Sequence, residues 1–570
     1  MPDQRVAERT TAVARGRVPR HTAPAAVMCL ALWLAMRPTW ADLTSSLPHD
    51  LGDPALNTWI LAWQSHALVS SPGSWFDGNI FAGHGSALGY SEVMLPLLVV
   101  FAPVYWVSGN AVLAHNVTIL AALAFCLATT YALSLRLRAS RWACVAAAIA
   151  ITLSSYTYAH LSHLQLLTLG LFPLGIIALL NLLERRRVRD GVWLGVASFA
   201  IVSGCLYYAP AWVCTVVAVV LVDLVRQRGR PGNQWWAAVV AAGATSAALV
   251  GPLAVLYLRF QAQANFTRVV SASLSFTPSD LLAPSTMSYA YRSLATAMSA
   301  RPSSVELAFF PGLLMLSLGI VGLFVAVRAL RRPRDFLRSD WMVLSVLALV
   351  CLFISLGPQI GSIPTPYRWV SSHLPGFSSI RAPARLFAPV LLVLVLAGAQ
   401  ILDRLVRVLA LPALTRPIVV VVVAVELMAP APRAAIVPRP DVETLYATLA
   451  TQPAGTMVEL PAASLADGAA GVFLEGERML RSIGHWRPRI NGTSGGDPPG
   501  FAREVEVYNT FPAAAAVDAL RAHGVRYAVL HLGDGQAFHL PESTVAAVEA
   551  DPTMRPIGRF GEILLVDLQP

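Results

Sequence analysis

Residues 164–187 read LQLLTLGLFPLGIIALLNLLERRR, an apolar run that ends in three consecutive arginines. A run of about 20 apolar residues is long enough to cross the hydrocarbon core of a membrane as a helix. Short loops rich in arginine stay on the cytoplasmic side, so the arginines predict that this span ends inside. Apolar runs and arginine-rich connectors alternate up to about residue 430. The sequence therefore predicts an α-helical polytopic membrane protein.

The composition excludes an ordinary soluble enzyme. Of the 570 residues, 56% are hydrophobic and only 13% are charged, about half the charged fraction of a soluble globular protein. All 42 basic residues are arginine, and the formal net charge is +10. Residues 430–570 carry a net charge of −5 and the preceding residues +15, so the basic excess belongs to the apolar part. This distribution indicates membrane topology rather than a nucleic-acid partner.

The number of spans follows from the arginine-rich connectors. Apolar runs lie near residues 22–40, 93–109, 112–135, 142–156, 164–183, 190–207, 209–226, 234–258, 305–328, 341–357, 385–402 and 415–430. The connectors are the N-terminal arm and the segments Arg136–Arg138, Arg185–Arg187, Arg226–Arg230, Arg328–Arg338 and Arg404–Arg416. If every run crosses, the connectors from Arg136 onward are external. If 93–109 does not cross, all of them are cytoplasmic, as the charge rule requires.

The run 93–109 is therefore predicted not to cross. Residues 38–135 contain no arginine, which fits one long external loop followed by a span that enters the cell. Leu95-Pro96 and Pro103 also make the run a poor continuous helix. We predict eleven spans, with the N-terminus inside and the C-terminus outside. The run 93–109 then lies in the external interface or re-enters the membrane.

Three regions follow from this layout. Residues 1–21 form a cytoplasmic basic arm, 22–430 a transmembrane domain with a first external loop at 41–111, and 431–570 an external domain. The last region has strand-like runs at 456–460, 527–530 and 563–566 and a helix-like run at 513–523. We therefore predict a small C-terminal α/β domain.

The first external loop carries acidic residues without a basic partner in its own sequence. Asp53-Pro54 precedes a segment in which Trp59, Trp63 and His66 share one helical face, as in an interfacial helix. Asp53 fits the N-cap of that helix, with Pro54 as its first residue. It also fits a carboxylate held at the membrane surface as a general base. The two interpretations are compatible, and Asp50 is the alternative base.

Two further external segments supply candidate binding residues. His160 and His163, followed by Gln165, lie three apart and would share a helical face. Two histidines alone are a weak metal signal, so we predict either backbone hydrogen bonds or contacts with Asp53 and a phosphate or sugar hydroxyl. Arg381 and Arg385 lie just before an apolar run, on the side where arginine is rare. They either reach to lipid headgroups or form an anion clamp for a phosphate or pyrophosphate.

Weaker candidates lie in neighbouring loops. Arg368 precedes the Arg381 segment, and Arg268 and Arg292 lie in the loop before it. The C-terminal segment 484–492, which reads GHWRPRING, mixes aromatic, basic and amide groups. It is either a structural loop or a loop that holds a sugar by stacking and hydrogen bonds.

The arrangement resembles the GT-C superfamily of polytopic glycosyltransferases. The shared features are a long first external loop with an acidic residue soon after span one, a juxtamembrane helix, a proline-containing apolar segment before span two, and a C-terminal domain. The segments HLSHLQ at 160–165, IRAPAR at 380–385 and YAVL at 527–530 look like those of large bacterial families of this type. Many members carry an adjacent acidic pair in the first loop, whereas here Asp50 and Asp53 are separated by two residues.

The resemblance implies a glycosyltransferase of the bacterial inner membrane that uses a polyprenyl-phosphate-linked sugar. Asp53 or Asp50 would be the base, and the predicted substrate-binding residues are Trp59, His160, His163, Gln165, Arg368, Arg381 and Arg385. The acceptor would be a glycan, a lipid or a protein. No metal ligands are assigned, and a divalent cation is left open. The alternatives are a transporter or flippase of lipid-linked glycans and a non-catalytic membrane scaffold.

Overall fold

The computed structural model describes residues 21–264, 270–298, 304–374, 377–378 and 380–569. The predicted basic arm, up to residue 20, and Arg268 lie outside these residues.

The apolar part of the chain is helical. Its first helices are α1 (Thr22–Ala35), α2 (Arg37–Ala41), α3 (Asp53–Ser70), α4 (Leu95–Ser108), α5 (Ala111–Arg136), α6 (Arg141–Thr152), α7 (Ser155–Ala159), α8 (Leu171–Arg185) and α9 (Val188–Gly204). The following helices are α10 (Tyr208–Arg226), α11 (Asn233–Ala264), α12 (Arg292–Met298), α13 (Leu313–Ala329), α14 (Pro333–Leu337), α15 (Asp340–Ser355), α16 (Pro366–His373), α17 (Ala388–Val408) and α18 (Thr415–Leu427). Each apolar run of the sequence therefore contains a helix.

Several of these helices can cross a membrane, and the chain is a multi-pass membrane protein. Within the described residues, six helical segments are long and apolar enough: Ala111–Arg136, Arg141–Ala159, Leu164–Arg185, Tyr208–Arg226, Asn233–Ala264 and Pro383–Val408. Shorter apolar helices are Thr22–Ala35, Leu95–Ser108, Leu313–Ala329 and Asp340–Ser355. The count of eleven spans stays a prediction.

The arginine-rich connectors meet on one side of the bundle. At the start of α1, His21 Nδ1 lies 2.9 Å from the hydroxyl of Tyr131, five residues before the end of α5. Arg136 Nη2 lies 2.5 Å from Glu184 Oε2 at the end of α8. Arg226, at the end of α10, donates to the carbonyl of Leu337 at 3.1 Å. The start of α1 and the ends of α5, α8 and α10 thus share one side, as the charge pattern predicts.

Helix α4 begins and ends on the opposite side. Pro96 packs against Gly204 at the end of α9, where its Cγ would lie 3.4 Å from an added Cβ. At the other end, Asn110 caps α5 and donates to the carbonyl of Thr44 at 3.1 Å. The prediction that 93–109 is a poor continuous helix is wrong, because Leu95–Ser108 is continuous with Pro103 inside it. Pro96 lies in the first turn, where a missing N–H leaves no helical bond unmade.

The tail, residues 431–569, contains helices and a mixed sheet. Short strands β1 (Ser46–Pro48), β2 (Gln359–Ile360), β3 (Ile363–Pro364) and β4 (Arg433–Ala435) precede β5 (Thr456–Leu460), β6 (Val525–His531), β7 (Arg555–Phe560) and β8 (Ile563–Asp567). The tail helices are α19 (Pro440–Thr451), α20 (Gly468–Ser482), α21 (Phe501–Tyr508), α22 (Ala514–Ala522) and α23 (Ser543–Ala550). The sheet order is β5-β6-β8-β7, with β5 and β6 parallel and the other pairs antiparallel.

The sequence predicts three of the four sheet strands and helix α22, which ends before Gly524 at φ +71°. It misses β7, because Pro556 and Gly558 interrupt the strand pattern, and proline is tolerated on such an edge strand.

The tail is joined to the first loop. Strands β1 and β4 pair antiparallel, with Ser46 opposite Ala435. His84 of the loop lies 3.0 Å from Glu504 of α21. The tail therefore lies on the side of the first loop, opposite the arginine-rich connectors.

Candidate active site

The loops opposite the arginine-rich connectors enclose a cavity of about 210 Å³, here called the Asp53 cavity. It is lined by Asp53, Leu56, Asn57, Ser91, Glu92, His163, Gln165, Tyr207, Leu274, Glu306, Arg381, Ala382, Arg385 and Gly495. Five predicted site residues, Asp53, His163, Gln165, Arg381 and Arg385, are therefore brought together from segments far apart in the chain. Gly495 adds the tail to the wall.

Asp53 is the first residue of α3, not its N-cap. Gly52 occupies the cap position, and no side chain caps this helix, so the predicted capping role of Asp53 is wrong. The Gly52 N–H instead donates to Asp50 Oδ1 at 2.9 Å. Asp50 does not line the Asp53 cavity. The arrangement leaves the Asp53 carboxylate at a helix N-terminus, where the helix dipole favours a negative charge.

His163 holds the Asp53 carboxylate. Its Nε2 lies 3.0 Å from Asp53 Oδ2 and 3.8 Å from Glu306 Oε1. A carboxylate only accepts hydrogen bonds, so Nε2 is the protonated nitrogen in this pair. The other carboxylate oxygen, Oδ1, accepts no hydrogen bond from the described residues, and 49% of the Asp53 side chain is accessible. Asp53 therefore presents one anchored oxygen and one oxygen available to a substrate.

The electrostatics keep Asp53 ionised. Burial alone would raise the pKa of its carboxyl, but the hydrogen bond and charge of His163 outweigh burial, and the more distant Arg385 adds to them. The pKa of Asp53 therefore lies below its ordinary value of 3.8. At neutral pH the group is an anion that can accept a proton.

Glu306 is the central residue that the sequence analysis missed. Arg385 donates to it through a fork, from Nε to Oε2 at 2.9 Å and from Nη2 to Oε1 at 2.6 Å. His160 Nε2 lies 3.1 Å from Oε2. Burial raises the pKa of Glu306, but Arg385 and His160 reverse the shift and hold it well below the ordinary range. The only sequence signal was an acidic residue at the edge of the apolar run 305–328, which we assigned to a span.

The two arginines of the predicted clamp have different environments. Arg385 is only 8% exposed, its fork is occupied by Glu306, and its guanidinium lies 4.9 Å above the Tyr207 ring. Arg381 lines the cavity, is exposed, and has no salt bridge within the described part of the chain. The prediction of a clamp formed by both arginines needs correction, because Glu306 occupies the Arg385 fork, whereas Arg381 has no acidic partner among the described residues.

The histidine pair does not lie on a helix. His160 follows α7 and His163 precedes a 3-10 turn, and their rings are 5.4 Å apart. His160 is fully buried behind the cavity, with Nδ1 2.8 Å from the carbonyl of Tyr156. Burial lowers the pKa of His160, and Glu306 opposes this shift. Gln165 lines the cavity, and its Oε1 is buried without a hydrogen-bond partner among the described residues.

The aromatic face of α3 is not an interfacial face. Trp59 is 1% exposed and donates to Asn79 Oδ1 at 2.8 Å, and Trp63 is 8% exposed. His66 stacks on Trp486 of the tail with ring centroids 4.8 Å apart. The predicted interfacial helix is therefore wrong, because the first loop and the tail cover this face. Trp59 does not line the Asp53 cavity.

The remaining candidates lie elsewhere. Arg368 is exposed on α16, Arg292 is exposed at the start of α12, and neither lines the Asp53 cavity. In segment 484–492, Arg489 is fully buried with Glu475 at 3.0 Å, and Asn491 donates to the carbonyl of Glu459 at 2.8 Å. These contacts favour the structural interpretation of that loop over sugar binding.

A metal site is not evident in the part of the chain that the structure describes. No group of three or more His, Cys, Asp or Glu residues is arranged there to hold an ion. Three carboxylates line the Asp53 cavity; of these, Glu306 is paired with Arg385 and Glu92 accepts the N–H of Leu206 at 2.8 Å. A divalent cation at this cavity stays an open prediction.

The architecture is that of the GT-C glycosyltransferases. The chain superposes on the arabinofuranosyltransferase AftD from Mycobacteria with a TM-score of 0.54 and 16% identity, over 96% of this chain and 40% of that chain. A mutant form of AftD gives a TM-score of 0.56 and 15% identity, over 96% and 42%. The apo structure of ArnT from Cupriavidus metallidurans gives 0.46 and 12%, over 96% and 97%. The chain thus spans about two fifths of the length of AftD.

The sequence comparisons identify a family rather than an activity. No protein of curated function matches the chain. A family model described as a domain of unknown function, DUF6311, matches residues 117–428, which is more than half of the chain. The matched region begins within α5 and ends after α18, so it covers most of the transmembrane part. The chain therefore belongs to the DUF6311 family.

Proposed function

We propose that the protein is a glycosyltransferase that moves a sugar from a polyprenyl-phosphate carrier to an acceptor hydroxyl at the external face of the bacterial inner membrane. The observation that carries the proposal is the Asp53 cavity. In one cavity it combines an ionised carboxylate and the guanidinium of Arg381; among the described residues, one carboxylate oxygen accepts no hydrogen bond and the guanidinium has no acidic partner. The GT-C fold agrees with this activity. The donor, the acceptor and the side of the membrane are part of the proposal.

The reaction divides between Asp53 and Arg381. The acceptor hydroxyl donates its proton to Asp53 Oδ1 while its oxygen attacks the anomeric carbon of the sugar. The bond between that carbon and the carrier phosphate breaks, and the phosphate oxygen leaves with the electron pair. Arg381 stabilises the charge that develops on the phosphate. Attack from the face opposite the leaving group inverts the anomeric configuration.

The neighbouring residues position these two groups. His163 anchors one oxygen of Asp53, so the other keeps a defined direction. Glu306 joins His160 and Arg385 and fixes the wall behind His163. The Gln165 Oε1, which lacks a partner among the described residues, is available to a sugar hydroxyl. Asp50 holds the Gly52 turn that begins α3.

A lipid-linked donor fits the position of the cavity. Tyr207 directly precedes α10, and Arg385 lies in the short turn that leads into α17, so the cavity opens among the ends of membrane helices. A carrier lipid can place its phosphate there while its chain remains in the bilayer. A soluble nucleotide sugar is not required, and the sequence contains no glycine-rich phosphate loop.

The test is transfer by the purified full-length protein in lipid nanodiscs, with a panel of polyprenyl-phosphate sugars and of acceptors. Asp53→Asn should fold normally and lose about a hundred- to ten-thousandfold in turnover, which is the usual contribution of a general base. Asp50→Asn is the matched control and should stay within about tenfold of the wild type. Parallel reactions with EDTA or added Mg²⁺ address the divalent cation.

Each result has a defined meaning. Normal turnover by Asp53→Asn together with an inactive Asp50→Asn would move the base to Asp50. Normal turnover by both variants would exclude a carboxylate mechanism in this loop. Movement of an unmodified lipid-linked sugar across the bilayer, without transfer, would indicate a transporter. Full dependence on Mg²⁺ would show that the reaction uses a divalent cation.

A further inference from the structure

Two adjacent cavities lie on the side opposite the Asp53 cavity, where the arginine-rich connectors meet. The first, here called the basic pocket, has a volume of about 270 Å³ and lies among the ends of α5, α8 and α10 and the start of α15. The second, here called the apolar cleft, has a volume of about 740 Å³ and lies among α13, α14, α15 and α17. Ser339 lines both, so the two are neighbours.

The basic pocket has an excess of positive charge. Arg136, Arg138, Arg226 and Arg338 line it, against the acids Glu184 and Asp340. Arg136 pairs with Glu184 at 2.5 Å, its Nε lies 3.7 Å from Asp340 Oδ2, and Arg226 pairs with Asp223 at 2.5 Å. Arg138 and Arg338 are exposed and have no salt bridge within the described residues. Among the described residues, the pocket therefore offers two guanidinium groups without an acidic partner, those of Arg138 and Arg338.

One end of the apolar cleft is lined by arginines. Arg328, Arg331 and Arg332 line it, with Asp335 as the acid. Its walls include Val325, Phe336, Trp341, Ala397 and Ile401, which are apolar side chains on helices next to the membrane. An apolar wall beside a cationic end is complementary to an amphiphile with an anionic head.

We propose that the basic pocket and the apolar cleft together bind an anionic phospholipid. Its phosphate lies among the arginines, and an acyl chain lies along the cleft. Arginine forks match phosphate oxygens and form two parallel hydrogen bonds to them. Basic pockets between membrane helices are suited to anionic headgroups. A zwitterionic lipid also carries an ammonium group, which the positive charge of the arginines repels. It therefore binds more weakly than an anionic lipid. The site is separate from the proposed catalytic cavity.

The experiment is lipid binding to the full-length protein in detergent, followed by native mass spectrometry and thermal unfolding. The probes are phosphatidylglycerol, phosphatidylcholine and inorganic phosphate at equal phosphate concentration. The test variants are Arg331→Gln/Arg332→Gln and Arg138→Gln/Arg338→Gln. The control is Arg187→Gln/Arg189→Gln, which removes two exposed arginines from the connector that begins α9, outside both cavities.

We expect phosphatidylglycerol to bind and to raise the unfolding temperature of the wild type and the control. Each test variant should bind it roughly tenfold or more weakly, since each juxtamembrane arginine adds to the attraction. Equal loss in the control would show attraction to the general positive charge and would overturn the proposal. So would equal binding of phosphatidylcholine. Equal stabilisation by inorganic phosphate would replace the lipid site by a free-phosphate site. Because the exposed pair Arg331 and Arg332 is tested alone, misfolding of the other variant leaves the test intact.

Discussion

The charge state of Asp53 depends on His163. The imidazole lies 3.0 Å from the carboxylate, and it is the largest contributor to the lowered pKa of Asp53 against the opposing effect of burial. A group whose pKa is lowered by folding is ionised at every pH above that value, and the base is lost only as the pH falls through it. Wild-type transfer should therefore show no acid limb at or above the ordinary aspartate pKa of about 4.

Replacing His163 should move this limb upward. In His163→Leu, only the more distant charge of Arg385 still opposes the burial of Asp53, so its pKa rises and activity falls at a higher pH than in the wild type. His163→Gln keeps a hydrogen-bond donor without the charge and should lie between the two. The measurement is kcat/KM against pH for the three proteins. An acid limb at the same pH in all three would show that His163 does not set the ionisation of Asp53.

Arg381 and Arg385 should respond differently to the same substitution. Arg381→Gln removes a free guanidinium from the cavity, so the donor KM should rise about ten- to hundredfold without loss of stability. Arg385→Gln removes the fork from Glu306 and leaves it with His160, and breaking such a pair typically costs about 3–5 kcal/mol of folding free energy. Donor KM and unfolding temperature of the purified variants separate the two effects. An unchanged KM in Arg381→Gln would favour contact with lipid headgroups instead.

Hydrophobic periodicity predicts the helices but not which groups pack against each helix face. Trp59, Trp63 and His66 do share a face of α3, as their spacing requires, but the spacing does not say whether lipid or protein covers that face. The covering groups, Asn79 and Trp486, come from segments that are local in space and distant in sequence. Pro103 lies inside the continuous helix α4 although proline has a low helix propensity. Here helix packing outweighs the unfavourable propensity of one residue.

Helices α9 and α11 approach each other closely at glycines, so an added side chain there should destabilise the fold. A Cβ at Gly191 would lie 2.1 Å from the carbonyl oxygen of Ala238, and small residues allow such close approach between membrane helices. Gly191→Ala should therefore force the helices apart, at a cost of about 1–3 kcal/mol. Gly243→Ala, on α11 with no atom within 4 Å of the added Cβ, is the control and should be neutral or slightly stabilising.

The measurement is thermal unfolding of both glycine variants in the same detergent. A lowered transition in Gly191→Ala alone is the expected result. Equal transitions in the two variants would contradict the close packing of α9 against α11.

The sequence placed several candidate residues on one side of the membrane but did not indicate which of them touch. The arginine pattern indicated which loops share a side, and five candidates from those loops do line one cavity. The distribution of arginines shows which loops share a side of the membrane but not which side chains touch. The pairing of Arg385 with Glu306 was therefore not predictable. Glu306 itself was hidden because hydropathy averaging absorbs one acid at the edge of an apolar run. Local sequence patterns do not predict contacts between segments that are distant in the chain.

The orientation of the chain in the membrane follows from two sets of contacts. His21 meets Tyr131 and Arg136 meets Glu184 on one side, whereas Ser46 pairs with Ala435 on the other, so Arg138 and the tail lie on opposite sides. Because short arginine-rich loops stay in the cytoplasm, a reporter that is active only in the periplasm should be active when fused after Pro570 and inactive when fused after Arg138. A cytoplasmic reporter at the same positions should give the reverse pattern and serves as the control. Exchanged activities at the two positions would invert the orientation and place the Asp53 cavity in the cytoplasm, where a soluble sugar donor could reach it. Activity of one reporter at both positions would contradict the arrangement of helices itself.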